Sequence, residues 1–318
     1  MRSSLAYGGM WVRTHTEDAR QGTRDLSADW GAFMTRTLVD HHRPQRTGER
    51  GAPAAPAAGI SPRARDWAEI QERMLVPLYE AVYERLEVRE GTRLLALGCG
   101  SGLSLLMAAT LGARVTGVDS DEELLALAGE RLRAGRSEGR RLLPADRLTE
   151  AEEPEAAPYD VVTVFRPVGS VAGDTLSPVP ALRAALPMAR RGAPVVLAGW
   201  GPPERCAASG VLGVAGRLTD RLRKGTWRPA HRDDLEDVAA RAGLRPDGSG
   251  RVACPFGYAD LASAVRGMLS TGAFEGAVRA TDRRQVEKEI AEALHPHLRK
   301  DGTVWLPNVF RYLIARVP

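Results

Sequence analysis

Thr92-Arg-Leu-Leu-Ala-Leu-Gly-Cys-Gly-Ser-Gly-Leu103, followed by Arg114-Val-Thr-Gly-Val-Asp119, is the stretch that decides the fold. Leu94 to Leu97 is a short apolar run and predicts a buried strand. The run breaks into a turn with glycine at alternate positions, Gly98, Gly100 and Gly102, and an amphipathic helix is predicted from Leu103. A β-branched run then ends in a single carboxylate, Asp119, about twenty residues past the first glycine. Strand, tight loop, helix, strand and acid suit an adenosine-containing ligand. Bare glycines let the backbone approach it, and the acid accepts hydrogen bonds from ribose hydroxyls.

A dinucleotide fingerprint carries glycine at the first, third and sixth loop positions. Here the sixth position is Leu103, and the glycines fall at the first, third and fifth. That spacing resembles motif I of the class I S-adenosylmethionine (SAM) dependent methyltransferases. Gly117-Val-Asp-Ser-Asp-Glu-Glu-Leu-Leu-Ala-Leu-Ala128 resembles the second motif of the same family. Tyr159-Asp-Val-Val-Thr-Val-Phe165 reads as the fourth strand and Arg191-Gly-Ala-Pro-Val-Val-Leu-Ala-Gly199 as the fifth. Leu306-Pro-Asn-Val-Phe-Arg-Tyr-Leu-Ile-Ala315 resembles the closing strand of the small-molecule members, the ubiquinone/menaquinone-biosynthesis type and its secondary-metabolism relatives. The resemblance spans residues 64 to 316.

The resemblance implies an α/β fold: a Rossmann-like, doubly wound sheet of seven strands, six parallel and the last antiparallel. It implies SAM as cofactor and methyl transfer to an oxygen, nitrogen or carbon of a small organic acceptor, with S-adenosylhomocysteine (SAH) as the other product. It places the cofactor against Gly98, Cys99, Gly100, Gly102, Asp119, Ser120, Asp146, Arg147 and Phe165. Asp119 would take the ribose, although it could instead cap the next helix, as Ser120 or Asp121 could. Asp146 would meet the adenine amino group, with Arg147 beside it as a backbone donor, and Phe165 would pack near the adenosine and the transferred methyl.

One departure stands out. The family carries an acid two places before the first glycine, where it helps hold the ammonium of the methionine part; this chain has Ala96. Losing one charge-assisted hydrogen bond costs roughly 1.5–3 kcal/mol unless another acid or carbonyl replaces it. A non-catalytic adenosine-binding or scaffold protein is therefore a rival reading. An NAD-dependent oxidoreductase is another, opposed by Leu103 and by the absence of a Tyr-x-x-x-Lys signature.

Methyl transfer is an in-line displacement in which positioning and desolvation supply much of the rate, so a base is required only when the acceptor must lose a proton early. Residues expected near the mouth are Trp67, Tyr79, Tyr83, Arg166 and His231. Arg166 follows strand four directly and could bind an acidic acceptor group, whereas His231 precedes a helix start. His295 and His297 flank Pro296 and are expected to be exposed. No HExxH-type spacing suggests a metal site.

The net charge of +4 is small for 318 residues, and arginines and acids are interleaved without aromatic alternation, which gives no support for nucleic-acid binding. No run of eighteen or more apolar residues predicts a membrane span, and no apolar stretch after Arg2 resembles a secretory signal. Cys99, Cys206 and Cys254 lie far apart, as expected of reduced thiols in a cytoplasmic protein.

Residues 1–62 lack a sustained period and are expected to form a mobile tail, with one short helix around Trp30 to Val39 and a solvated His41-His42 pair. The methyltransferase-like domain is expected over 63–318. Trp67, Ile70, Met74, Leu75, Leu78, Val82 and Leu86 predict one helix, kinked at Pro77. Pro202-Pro203 predicts the start of a helix running to Leu222, and Asp233 to Ala242 a helix closed by Gly243. A helical insertion over 258–298 shows apolar stripes at Leu261, Val265, Met268 and Leu269 and at Val286, Ile290 and Leu294. It is expected to form a lid over the acceptor, or simply to pack on the sheet edge.

Overall fold

The computed structural model describes residues 59–133, 139–151, 157–170, 172–219 and 227–318. Nearly all of the expected tail, including the Trp30–Val39 helix and the histidine pair, lies outside them. Strands β1 (Arg93–Leu97), β2 (Arg114–Asp119), β3 (Arg140–Pro144), β4 (Val161–Val168), β5 (Pro194–Trp200), β6 (Arg245–Ala253) and β9 (Val309–Arg316) form one sheet, ordered β3-β2-β1-β4-β5-β9-β6. The pairs from β3 across to β5 are parallel, and β9 runs antiparallel to both β5 and β6. This is the seven-strand sheet, last strand reversed, that the resemblance implies. The strand order turns back between β1 and β4, and in open α/β sheets ligands bind at the carboxyl ends beside such a switch.

The strands read as continuous apolar runs because both sheet faces are covered. Leu95 and Leu97 enter one buried cluster with Val162, Val195 and Leu313, closed by Leu182 of α5 (Val179–Ala185) and Leu235 and Val238 of α7 (Asp234–Ala242). On alternation Leu94 and Ala96 face the opposite side, and all four residues are buried. The remaining helices of the wound domain are α2 (Val76–Arg85), α3 (Leu103–Thr110), α4 (Glu122–Arg133) and α6 (Ala208–Thr219).

Several boundaries differ from expectation. The single helix over 67–86 is instead α1 (Pro62–Asp66), a π-helical turn Trp67–Gln71, a 3-10 turn Glu72–Leu75 and then α2. Pro77 lies in the first turn of α2, where its missing N–H costs nothing, so the chain restarts a helix there rather than kinking one. β4 continues past Phe165 to Val168 through a register shift between Val164 and Val168. Pro167 cannot donate to a ladder, and the irregularity accommodates it. The helix expected from Pro202 begins only at Ala208, because Pro203–Arg205 forms a separate 3-10 turn and the Ala208 amide is held by Asn308 Oδ1 at 3.0 Å.

The insertion contains α8 (Leu261–Ser270), α9 (Glu275–Ala280) and α10 (Arg283–Leu294), with Asp260 and Asp282 as N-caps of α8 and α10. A two-stranded ribbon at its base, β7 (Phe256–Tyr258) with β8 (Val304–Leu306), was not expected. Val286, Ile290 and Leu294 are fully buried as the stripe predicts. In α8 the buried face is Ala264, Gly267 and Met268, while Leu261, Val265 and Leu269 are half-buried. Small residues face inward because the π turn passes so close: a Cβ on Gly267 would lie 2.8 Å from the Tyr258 ring and 3.0 Å from Ile70.

A similar close approach supports a stability prediction at the sheet edge. A Cβ on Gly250 of β6 would lie 2.4 Å from the Tyr312 ring on β9. Gly250→Ala should therefore cost about 1–3 kcal/mol of overpacking. Urea unfolding checks this, and an unchanged midpoint would mean that the Tyr312 ring swings aside freely.

Candidate cofactor and acceptor site

The glycine turn sits at the carboxyl end of β1. Gly98 and Cys99 both donate backbone N–H to Val118 O, at 2.8 and 3.1 Å, so β1 and β2 end side by side. Gly100 N–H then reaches Asp119 Oδ2 at 2.8 Å, and Asp119 Oδ1 accepts from the Asp121 amide at 3.0 Å. Asp119 is thus a buried brace between the loop and the start of α4. The cap of α4 is Asp121, whose Oδ1 accepts from the amides of Glu123 and Leu124. Each Asp119 oxygen, holding one hydrogen bond, retains a lone pair for a ligand.

Two adjoining cavities open here, of about 440 and 680 Å³, both within the range of small-ligand sites. They share Trp67, Leu75, Gly98, Asp119, Ser120, Arg166 and Thr271. The smaller adds Cys99, Gly100, Glu72, Tyr79, Phe165 and the first turn of α4. The larger runs past Ala145 and Leu148 on one side and reaches Leu212, Trp200, Phe256, Phe310 and Met268 on the other. Trp200, Phe256 and Phe310 form an aromatic cluster, with Trp200 and Phe310 centroids 4.6 Å apart. Ser270, Thr271 and Glu275 of the insertion complete the smaller cavity, and Gly272 and Ala273 the larger.

Of the residues expected at the cofactor, Gly98, Cys99, Gly100, Asp119, Ser120 and Phe165 therefore line this space, and Arg166 lines both cavities. Gly102 does not. It packs on α4, where a Cβ would meet Ala128 at 2.8 Å, so its glycine serves helix packing. Asp146 and Arg147 are exposed in the 3-10 segment after β3 and line neither cavity, although Ala145 and Leu148 on either side of them do; Arg147 pairs with Glu150.

Tyr83 is also placed differently from expectation. It is buried behind Phe165, ring centroids 5.7 Å apart, and donates to Ser104 O at 2.9 Å, while Tyr79 one helical turn earlier reaches the cavity. Burial pushes both phenols well above their usual range, which keeps them protonated at neutral pH and unsuited to act as bases. His231 is exposed and outside both cavities; its amide donates to Asp234 Oδ2, an acid that pairs with Arg228. Among the described residues, no group of three or more His, Cys, Asp or Glu side chains could hold a metal ion, and no helix is long and apolar enough to cross a membrane.

Sequence reasoning did not find Glu72. It is 1% exposed, donates nothing, and accepts through Oε2 from the Ser101 hydroxyl and from Arg131 Nη1 at 2.6 Å. Arg131 also reaches Ser101 O at 2.8 Å and Ala68 O at 3.1 Å, which ties the π turn to the glycine loop. No local signal separates Glu72 from the exposed Glu69 nearby.

A second tie joins Arg63 and Asp121 across the mouth. Burial pushes the Asp121 carboxyl up, but the Arg63 guanidinium and the Leu124 and Glu123 amides outweigh it and hold the group below its usual range. A depressed carboxylate contributes stability that is present above its unfolded value of about 3.9 and is lost as pH falls through the lower folded value. In urea unfolding, Arg63→Gln should cost more near pH ~7 than at a pH below the lowered folded value of Asp121, where that carboxyl is neutral. An equal cost at both would mean that Arg63 contributes packing alone.

Residues 94–179 match the family model described as a methyltransferase domain. No curated protein matches the chain. Similar solved structures include a candidate methyltransferase from Bacillus halodurans (14% identity, 75% of this chain and 98% of that one, TM-score 0.47). Others are the YcgJ protein of Bacillus subtilis (17%, 75% and 97%, 0.45) and a Haemonchus contortus phosphoethanolamine N-methyltransferase in complex with SAM (13%, 83% and 61%, 0.45).

Proposed function

We propose that this chain, whose residues 94–179 match a methyltransferase-domain model, is a class I SAM-dependent methyltransferase that moves the methyl group of SAM to a small, largely apolar acceptor held over the ends of β4 and β5. The observation that carries this reading is the continuity of the cavities. One end is a glycine cradle beside Asp119; the other is walled by Trp200, Phe256, Phe310, Leu212 and Met268. The residues fit SAM. A side chain at Gly100 would fill the cradle, Asp119 has lone pairs to spare for a ribose, and Phe165 and Leu75 offer apolar surface between the two ends.

SAM supplies an electrophilic methyl on a sulfonium. Held by Gly98, Gly100 and Asp119, it would offer that methyl to an acceptor atom for in-line transfer, with SAH as the other product. The chain's contribution is positioning and exclusion of water, for which the apolar wall and the turn between α8 and α9 are suited. Arg166, which lines both cavities, would meet an anionic group on the acceptor. The insertion acts as the lid of the acceptor side.

Thermal shift with SAM, SAH and NAD tests the cofactor. SAM and SAH should both raise Tm, by a stabilisation of about 2.7 kcal/mol at a hundredfold excess over Kd, and NAD should not. A shift with NAD alone would replace this reading with a dinucleotide enzyme.

A further inference from the structure

Ala96 stands where the family's acid would hold the methionine ammonium, and it is buried in β1 beside Gly117 of β2 and Thr163 of β4. Two other polar atoms converge over the glycine turn instead. A Cβ built on Gly100 would lie 2.9 Å from Glu72 Oε1 and 3.2 Å from Trp67 Nε1, so both atoms meet above the same backbone position. Their hydrogen-bonding senses are opposite. Glu72 Oε1 accepts, and no hydrogen bond among the described residues reaches it, since Ser101 and Arg131 both engage Oε2. Trp67 Nε1–H is a buried donor with no partner among the described residues.

A buried donor left unsatisfied carries a desolvation cost, and native structures rarely leave such a group unmet, while Glu72, whose Oε1 is left without a bond among the described residues, lines the smaller cavity. Trp67 and Glu72 bracket the π-helical turn, a local departure from α-helix found often at functional sites. Within a regular helix, positions five apart would not share a face as neighbours do; the wider turn brings both to the loop.

We infer that Glu72 and Trp67 form the subsite for the amino-acid end of the cofactor: Glu72 Oε1 accepts from the α-ammonium, and Trp67 Nε1–H donates to the α-carboxylate. The function of the absent motif acid has thus moved from β1 to the helical segment that precedes it. Arg131 pairs with Glu72 Oε2 and fixes its orientation, which makes Arg131 a positioning residue. This inference rests on the SAM reading above.

The test compares SAH with 5′-methylthioadenosine, which keeps the adenosine and sulfur but lacks the amino-acid end. Calorimetry on the full chain should show Glu72→Gln weakening SAH about ten- to a hundredfold, with methylthioadenosine changed less than about threefold. Trp67→Phe, which keeps the ring and removes only the N–H, should weaken SAH selectively by about three- to tenfold. Equal weakening of both ligands by both variants would make the pair a brace of the loop and overturn the subsite. Unchanged SAH affinity in both variants would overturn it as well. Wild-type protein that binds methylthioadenosine and SAH equally well would overturn the subsite alone, whereas binding of neither would remove the cofactor reading on which it rests.

Discussion

Gly100→Val should abolish SAH binding in calorimetry while the sheet still folds. Gly100 has φ +58°, a left-handed conformation that costs an L-residue about 1–2 kcal/mol and a β-branched one more. The larger effect is spatial. The first carbon of the new side chain alone would lie 2.9 Å from Glu72 Oε1 and 3.2 Å from Trp67 Nε1, in the space assigned to the methionine part. Glu72 does not yield easily, because Arg131 and Ser101 hold it. Wild-type affinity in this variant would show that no ligand passes over Gly100.

Asp119→Ala should lower stability and SAH affinity together. Its carboxylate satisfies the buried Gly100 amide at 2.8 Å and the Asp121 amide at 3.0 Å. Removing it strands the Gly100 N–H, at about 1–3 kcal/mol, and loosens the cradle at the same stroke. The ribose contacts assigned to its remaining lone pairs go as well, so SAH and methylthioadenosine should weaken alike. Asp119→Asn keeps one accepting oxygen and should recover part of the stability while leaving both ligands weak. Lower stability with unchanged affinity for both ligands would reduce Asp119 to a loop brace.

What was legible in the sequence was the chemistry written locally. The strand, the alternating glycines and Asp119 lie within one βαβ unit, and each is set by backbone geometry that a short window specifies. The seven-strand sheet with its last strand antiparallel followed from the family resemblance that this unit and the closing strand carry, whereas the strand order was not read from the residues. The ends of elements were less legible where tertiary contacts decide them. Pro167 sits inside β4 because the ladder tolerates a register shift there, and the β7–β8 ribbon is too short to show a period. Tyr79 and Tyr83 are one turn apart on α2 and both contact the Phe165 ring, so spacing could not tell which one reaches the cavity.

Glu72 was illegible for a different reason. Its partners Ser101 and Arg131 are distant in the chain, and the π turn that aims it depends on α8 packing closely against Ile70 and Gln71. Ala96 was the only trace of it, an absence that a neighbouring segment fills. Gly102 gave the opposite difficulty: its glycine belongs to the motif spacing, yet the contact it permits is with Ala128 of α4.

Amide hydrogen exchange of the intact chain, with and without SAH, tests most directly that the cofactor sits on this loop. Added protection is predicted at Gly98 to Leu103 and at Asp119 to Leu124, with further protection at Ser270 to Glu275 where the insertion closes the smaller cavity. SAH that binds but leaves Gly98 to Leu103 and Asp119 to Leu124 unchanged would place the ligand elsewhere and contradict the assignment.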